Sequence, residues 1–178
     1  GASALAANTT GGYSNAVGQN ALKAQTTANG NNAFGNSALY SVTTGGYNTA
    51  IGNSALYAVV SGAQNTAVGS GALSSSTADY GVAVGANSLS SNTTGNYNTA
   101  LGASALASNT TASNNTAVGY QAGYNNTTGY RLTALGYQAL YAHTTGVANT
   151  AVGYSSMPAN TTGQENTAIG DNTMTANT

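Results

Sequence analysis

The stretch NTAIGNSALYAVVSGAQ, residues 48–64, holds the pattern that organises the whole chain. In it an alanine, a large apolar residue and a glycine stand in succession (Ala50, Ile51, Gly52), and Leu56 follows four positions after the glycine. Reading outward, the glycine recurs at Gly18, Gly35, Gly52, Gly69, Gly85, Gly102, Gly119, Gly136, Gly153 and Gly170, seventeen residues apart except for sixteen between Gly69 and Gly85. Gly1 has the same phase, since ASAL follows it as NSAL follows Gly35. Self-similarity at a fixed period is the mark of stacked repeats. Residues 1–178 therefore read as one repetitive domain, a piece of a longer array.

Each column of the repeat carries its own chemistry. Alanine always stands two positions before the glycine, and the position between is always large and apolar: Val17, Phe34, Ile51, Val68, Val84, Leu101, Val118, Leu135, Val152 and Ile169. Four positions after it come leucines, then Met157 and Met174, with Gly123 the exception. A helix is excluded, because seventeen residues hold no apolar stripe at helical spacing and Gly, Thr and Asn at this density oppose helix. The columns predict an all-β parallel β-solenoid of about ten to eleven coils. Each coil would carry two strands of about four or five residues, one ending at the glycine and one around the leucine.

In such a stack like residues lie about 4.8 Å apart and form ladders. Asn8, Asn92, Asn109, Asn126 and Asn160 would line the long corner, and Thr9, Thr26, Thr43, Thr77, Thr93, Thr110, Thr127, Thr144 and Thr161 would lie beside them. Thr49, Thr66, Thr99, Thr116, Thr133, Thr150 and Thr167 precede the alanines. Gly11, Gly45, Gly62, Gly95, Gly129, Gly146 and Gly163 are expected to supply positive φ at the corner. Tyr80-Gly81-Val82 and Leu132 depart from their columns, the first beside the one-residue deletion.

Strand alternation sends the alanine and its large neighbour to opposite faces. Either the large residues fill the interior and the alanines face a close neighbouring chain, or the alanines fill a very thin coil. Two large apolar side chains per coil, roughly 1.5 to 3 kcal/mol each, are set against an ordering cost of roughly 1 to 2 kcal/mol per residue. With no cysteine to staple the chain, association is the remaining device and a homo-oligomer is expected, end-to-end filament growth through the unpaired backbone of the open solenoid ends being one form of it.

The 178 residues are 40% hydrophobic and only 3% charged, with a net charge of -1. Lys23 and Arg131 are the only strong bases, so no basic patch exists for nucleic acid or an anionic membrane surface. Apolar runs are far shorter than the roughly 20 residues a spanning helix needs. No membrane insertion is expected, and the surface of Asn, Thr, Ser and Tyr suits an extracellular, cell-surface or virion-tail location.

NTAVGYQAGYNNTTG, residues 115–129, and NTALGASALASNTT, residues 98–111, resemble the repeats of bacteriophage tail-fibre shafts. They are similar also to the head repeats of trimeric autotransporter adhesins, whose units are typically shorter than seventeen residues. The resemblance runs through the whole chain. It implies a left-handed β-roll, three chains around one axis, and a surface role in host attachment.

Catalytic chemistry has little to draw on. His143, Asp79, Asp171 and Glu165 occupy different columns or distant coils, so neither an enzyme nor a cofactor or metal site is expected. His143 reads as a solvated corner residue. Arg131 and Glu165 share a column two coils apart, with Ala148 between them. Tyrosine ladders are expected at Tyr120, Tyr137 and Tyr154, at Tyr40 and Tyr57 with Tyr124 and Tyr141, and at Tyr13, Tyr47 and Tyr97. With Gln121 and Gln138 beside the first, they are candidates for contact with a cell-surface glycan through stacking and amide hydrogen bonds; the alternative is that they cap corners or pack between chains. The Asn-Thr-Thr triplets match an N-glycosylation acceptor as well as turn chemistry. The threonine files raise ice binding, against which stands a single threonine ahead of alanine and a large apolar residue.

Overall fold

The computed structural model describes residues 1–176. Ten strands of three residues each, from β1 (Asn15–Val17) through β4 (Thr66–Val68) and β5 (Val82–Val84) to β10 (Thr167–Ile169), form one parallel sheet in chain order. Like column pairs with like column: Ala16 lies opposite Ala33, Ala33 opposite Ala50, and Ala151 opposite Ala168. The chain is thus a parallel β-solenoid. Its nine strand-to-strand steps of about 4.8 Å give a rod of about 43 Å.

The short coil keeps this register. β4 pairs with β5 as Thr66 to Val82, Ala67 to Ala83 and Val68 to Val84, so the deletion is absorbed elsewhere. It falls between Thr77 and Ala78, where the other coils carry a second, exposed corner residue such as Thr44 or Thr94.

The alternation resolves in favour of the thin coil. The alanines point inward, with Ala33, Ala50, Ala67, Ala83, Ala100 and Ala117 fully buried, while Val17, Phe34, Ile51, Leu101 and Ile169 stand on the outer face at 41 to 70% exposure. Alanine is required inside, not against a neighbouring chain. The interior is narrow because it is shared: behind each strand alanine sit a second alanine, or Ser88 or Ser156 in its place, and the leucine.

Nor is the leucine segment a strand. Only one three-residue strand forms per coil, and the residues after the glycine turn through the left-handed region, with Asn20 at φ 58° and Leu22 at φ 51° in one coil and Ser104 at 56° and Leu106 at 50° in another. These turns still stack, since the Leu22 N–H donates to the Ala38 carbonyl at 3.0 Å and that of Leu39 to Ala55 at 3.0 Å. A non-glycine residue at positive φ is disfavoured, by about 1 to 2 kcal/mol. Burial of the leucine offsets it, and an unbranched Cβ keeps the strain tolerable.

Two asparagine columns complete the interior. In one, the Nδ2 of Asn109 donates to Asn92 Oδ1 and that of Asn126 to Asn109 Oδ1, both at 2.8 Å, and each also reaches a carbonyl three residues on. In the other, the backbone N–H of Asn65 donates to Asn48 Oδ1 at 3.0 Å, and Asn65 Nδ2 to the Ala78 carbonyl of the next coil at 2.8 Å. These amides satisfy corner backbone groups that water cannot reach, which is why a buried column can be polar. Leu132 and Gly81 interrupt the second ladder, each donating its own backbone N–H to the Oδ1 of the preceding asparagine, Asn115 and Asn65.

The corner glycines act differently from expectation. Gly11, Gly45, Gly62, Gly95, Gly129, Gly146 and Gly163 are absent from the positive-φ glycines. What they supply is smallness: a Cβ on Gly62 would come within 2.5 Å of the Ala78 carbonyl oxygen. Ala28, Ala78 and Ala112 occupy the same column, so a methyl is accepted where the backbone adjusts.

Candidate functional site

Because alanine faces inward, the residues on either side of it in each strand face outward together. The sheet therefore presents two parallel files along the rod, one of Thr49, Thr66, Thr99, Thr116, Thr133, Thr150 and Thr167, the other of the large apolar residues from Val17 to Ile169. Within a file neighbours are one strand spacing apart, about 4.8 Å. No charged side chain stands in either file. Exposed apolar residues scattered singly are ordinary, but a continuous file rimmed by hydroxyls is the kind of surface that partners cover.

The candidate glycan contacts lie on a different edge. Tyr120, Tyr137 and Tyr154 are exposed and stack in sequence, with ring centroids 5.5 and 5.0 Å apart and planes within 21° and 7°. Gln138 Nε2 donates to Gln121 Oε1 at 2.8 Å beside them. The rings cover one another's faces, so edges and hydroxyls are what the middle of the ladder offers to solvent, and no cleft opens among the described residues. Tyr40 stacks with Tyr57 at 5.0 Å and Tyr124 with Tyr141 at 5.5 Å. Tyr13, Tyr47 and Tyr97 do not form a ladder, because Gly30 and Gln64 stand between them; Tyr97 stacks instead on Tyr80 of the short coil at 5.0 Å.

The ionisable residues are dispersed. Asp79 accepts the Ala63 N–H at 2.7 Å, a structural link between coils. Arg131 lies over the Tyr130 ring at 5.7 Å and Lys23 over Tyr40 at 5.3 Å. Glu165 and Asp171 are exposed on separate coils. Among the described residues no three of the acidic, histidine or cysteine side chains gather as a metal site would require.

His143 is a correction: it is fully buried in the first asparagine column, not solvated. Asn149 Nδ2 lies 3.2 Å from its Nε2 and Asn126 Oδ1 lies 3.1 Å from its Nδ1. Asn149 Oδ1 already accepts from Asn166, so its amino group faces the ring, Nε2 accepts, and the proton sits on Nδ1. Desolvation by burial pushes the imidazole pKa down from 6.5 to about 4. The folded state resists the proton that the unfolded state takes up, so stability is full above about pH 6.5 and declines as pH falls towards 4. The loss should reach about 3 kcal/mol. Urea unfolding followed across that range should show it, and His143→Asn, which restores the residue usual to the column, should flatten the profile.

The Asn-Thr-Thr asparagines also lie differently from a glycan acceptor. Asn92, Asn109, Asn126 and Asn160 are buried with their amides engaged, Asn8 alone being exposed. They are turn and ladder residues. Comparison with protein-family models, curated proteins and solved structures returned no match.

Proposed function

We propose that this chain is a non-enzymatic shaft segment of an extracellular or virion-surface fibre, which supplies length and stiffness and associates with further copies of itself. The carrying observation is the outward file of large apolar residues along the sheet, with Phe34 at 41%, Ile51 at 42% and Leu101 at 46% exposure. A second copy is the occupant that fits, because the partner must repeat at the same strand spacing and need bring no charge. Three chains is the number that the resemblance to tail-fibre shafts implies. An end-to-end filament is the alternative geometry, distinguished by indefinite length in electron microscopy.

Sedimentation of the wild-type chain should give a discrete oligomer, and the double substitution Ile51→Lys, Leu101→Lys should give a folded monomer. A wild-type chain that is monomeric at all concentrations would overturn the reading. Ice is the rival occupant, favoured by the threonine and apolar files lying side by side on one face. The unequal sizes of Phe34, Leu101 and Leu135 among the valines and isoleucines of the file make a poor match to a flat ice plane, so association is preferred; thermal hysteresis from a monomeric chain would reverse the choice. A glycan would meet phenol hydroxyls and the amides of Gln121 and Gln138, a contact made useful only by repetition.

A further inference from the structure

The tyrosines form stacked pairs between successive coils: Tyr40 with Tyr57, Tyr80 with Tyr97, Tyr120 with Tyr137, Tyr137 with Tyr154, and Tyr124 with Tyr141. All five have centroids 5.0 to 5.5 Å apart, and they lie at corners, away from the sheet face. Tyr120, Tyr137 and Tyr154 are 47, 41 and 54% exposed, so a soluble oxidant reaches them. The chain has twelve tyrosines and no cysteine, so phenol chemistry is the oxidative cross-link open to it.

We infer that the stacked ladder Tyr120, Tyr137, Tyr154 is a site of oxidative dityrosine cross-linking between successive coils. A haem peroxidase with hydrogen peroxide removes one electron and one proton from each of two neighbouring phenols. The two phenoxyl radicals join through ring carbons ortho to oxygen, forming one C–C bond. Each displaced ortho hydrogen then moves to its own phenol oxygen as a proton. Two tyrosines have lost two electrons and two protons in all, and peroxide takes them up to become two waters. Stacking matters because a radical formed on one ring finds its partner one strand spacing away, about 4.8 Å, instead of in another molecule. In the biphenyl product the two methylene carbons stand further apart than one strand spacing, but rotation about the Cβ–ring and Cα–Cβ bonds turns the two Cα atoms back to near that spacing, so the backbone ladder can stay paired.

Exposure and stacking make different forecasts, and this makes the test sharp. Tyr13 at 94% and Tyr47 at 69% are the most exposed tyrosines, yet neither belongs to a stacked pair. The full chain is treated at low concentration with a haem peroxidase and limiting hydrogen peroxide, digested and mapped by mass spectrometry. Peptides joined between stacked partners, Tyr137 to Tyr120 or Tyr154 among them, with the loss of two hydrogens, should dominate and should arise within single chains. Tyr137→Phe removes two of the five stacked pairs, so dityrosine fluorescence should fall by up to two-fifths, with joins through position 137 gone. Products centred on Tyr13 and Tyr47, or linkages distributed without regard to stacking, would overturn the inference. The wild-type map decides between these outcomes even if the variant folds poorly.

Discussion

Replacing Gly119 by alanine is expected to destabilise the solenoid by about 3 kcal/mol or more. Gly119 sits at φ +131°, outside the regions open to L-residues, and a Cβ there would lie 2.4 Å from the Gly136 oxygen and 2.6 Å from its carbonyl carbon. These are backbone atoms held in the next coil, where Gly136 N donates to the Val118 carbonyl at 2.7 Å. No side chain can swing aside, so relief requires moving the following coil, which itself supports another. The control is Gly12→Ala, where φ is not positive and a Cβ would meet only Asn29 Oδ1 at 3.5 Å; it should cost no more than about 0.5 kcal/mol. Thermal melts followed by circular dichroism separate the two, and equal losses would remove the distinction between the glycine columns.

Asn115→Ala is expected to cost about 2 to 3 kcal/mol, chiefly by stranding the buried Leu132 N–H. Asn115 Oδ1 accepts the Leu132 N–H at 3.0 Å, and its Nδ2 donates to the Gly129 carbonyl at 2.9 Å. The Gly129 carbonyl keeps its bond from Asn126 Nδ2 at 2.9 Å, whereas the buried Leu132 N–H has no solvent to replace Asn115. Thr116→Ala, one position along and facing outward, should stay within about 0.5 kcal/mol. Hydrogen exchange gives the site-specific measurement: the Leu132 amide should lose protection in the first variant and keep it in the second.

The period, the phase and every strand pairing were legible in the sequence, because each column repeats its residue type and a parallel stack must place like on like. The short coil was legible too, and β4 and β5 pair as the alignment requires. Which face is inner was not. Alternation says that Ala117 and Val118 oppose one another but gives no sign, and three residues are too few for the rest of a strand to supply it.

A signal for the turn at the leucine was present in the columns. Leucine, methionine and Gly123 fill that position and no valine or isoleucine does, although valine and isoleucine dominate the column before the repeat glycine. Left-handed backbone excludes a branched Cβ, so the omission marks the turn. His143 was misplaced for a related reason: an asparagine-rich column suggests solvent, whereas these amides bond to the corner backbone from inside.

The corner between Thr77 and Ala78 has a practical consequence. One residue is missing there, yet the sheet continues through β5 without a shift, and the position it would have filled is exposed in the other coils, as at Thr27, Thr94 and Thr128. That corner is where the architecture can be edited. A peptide epitope or enzyme tag grafted at any of these points would project sideways at chosen multiples of one rung, making the rod a scaffold with graduated attachment heights.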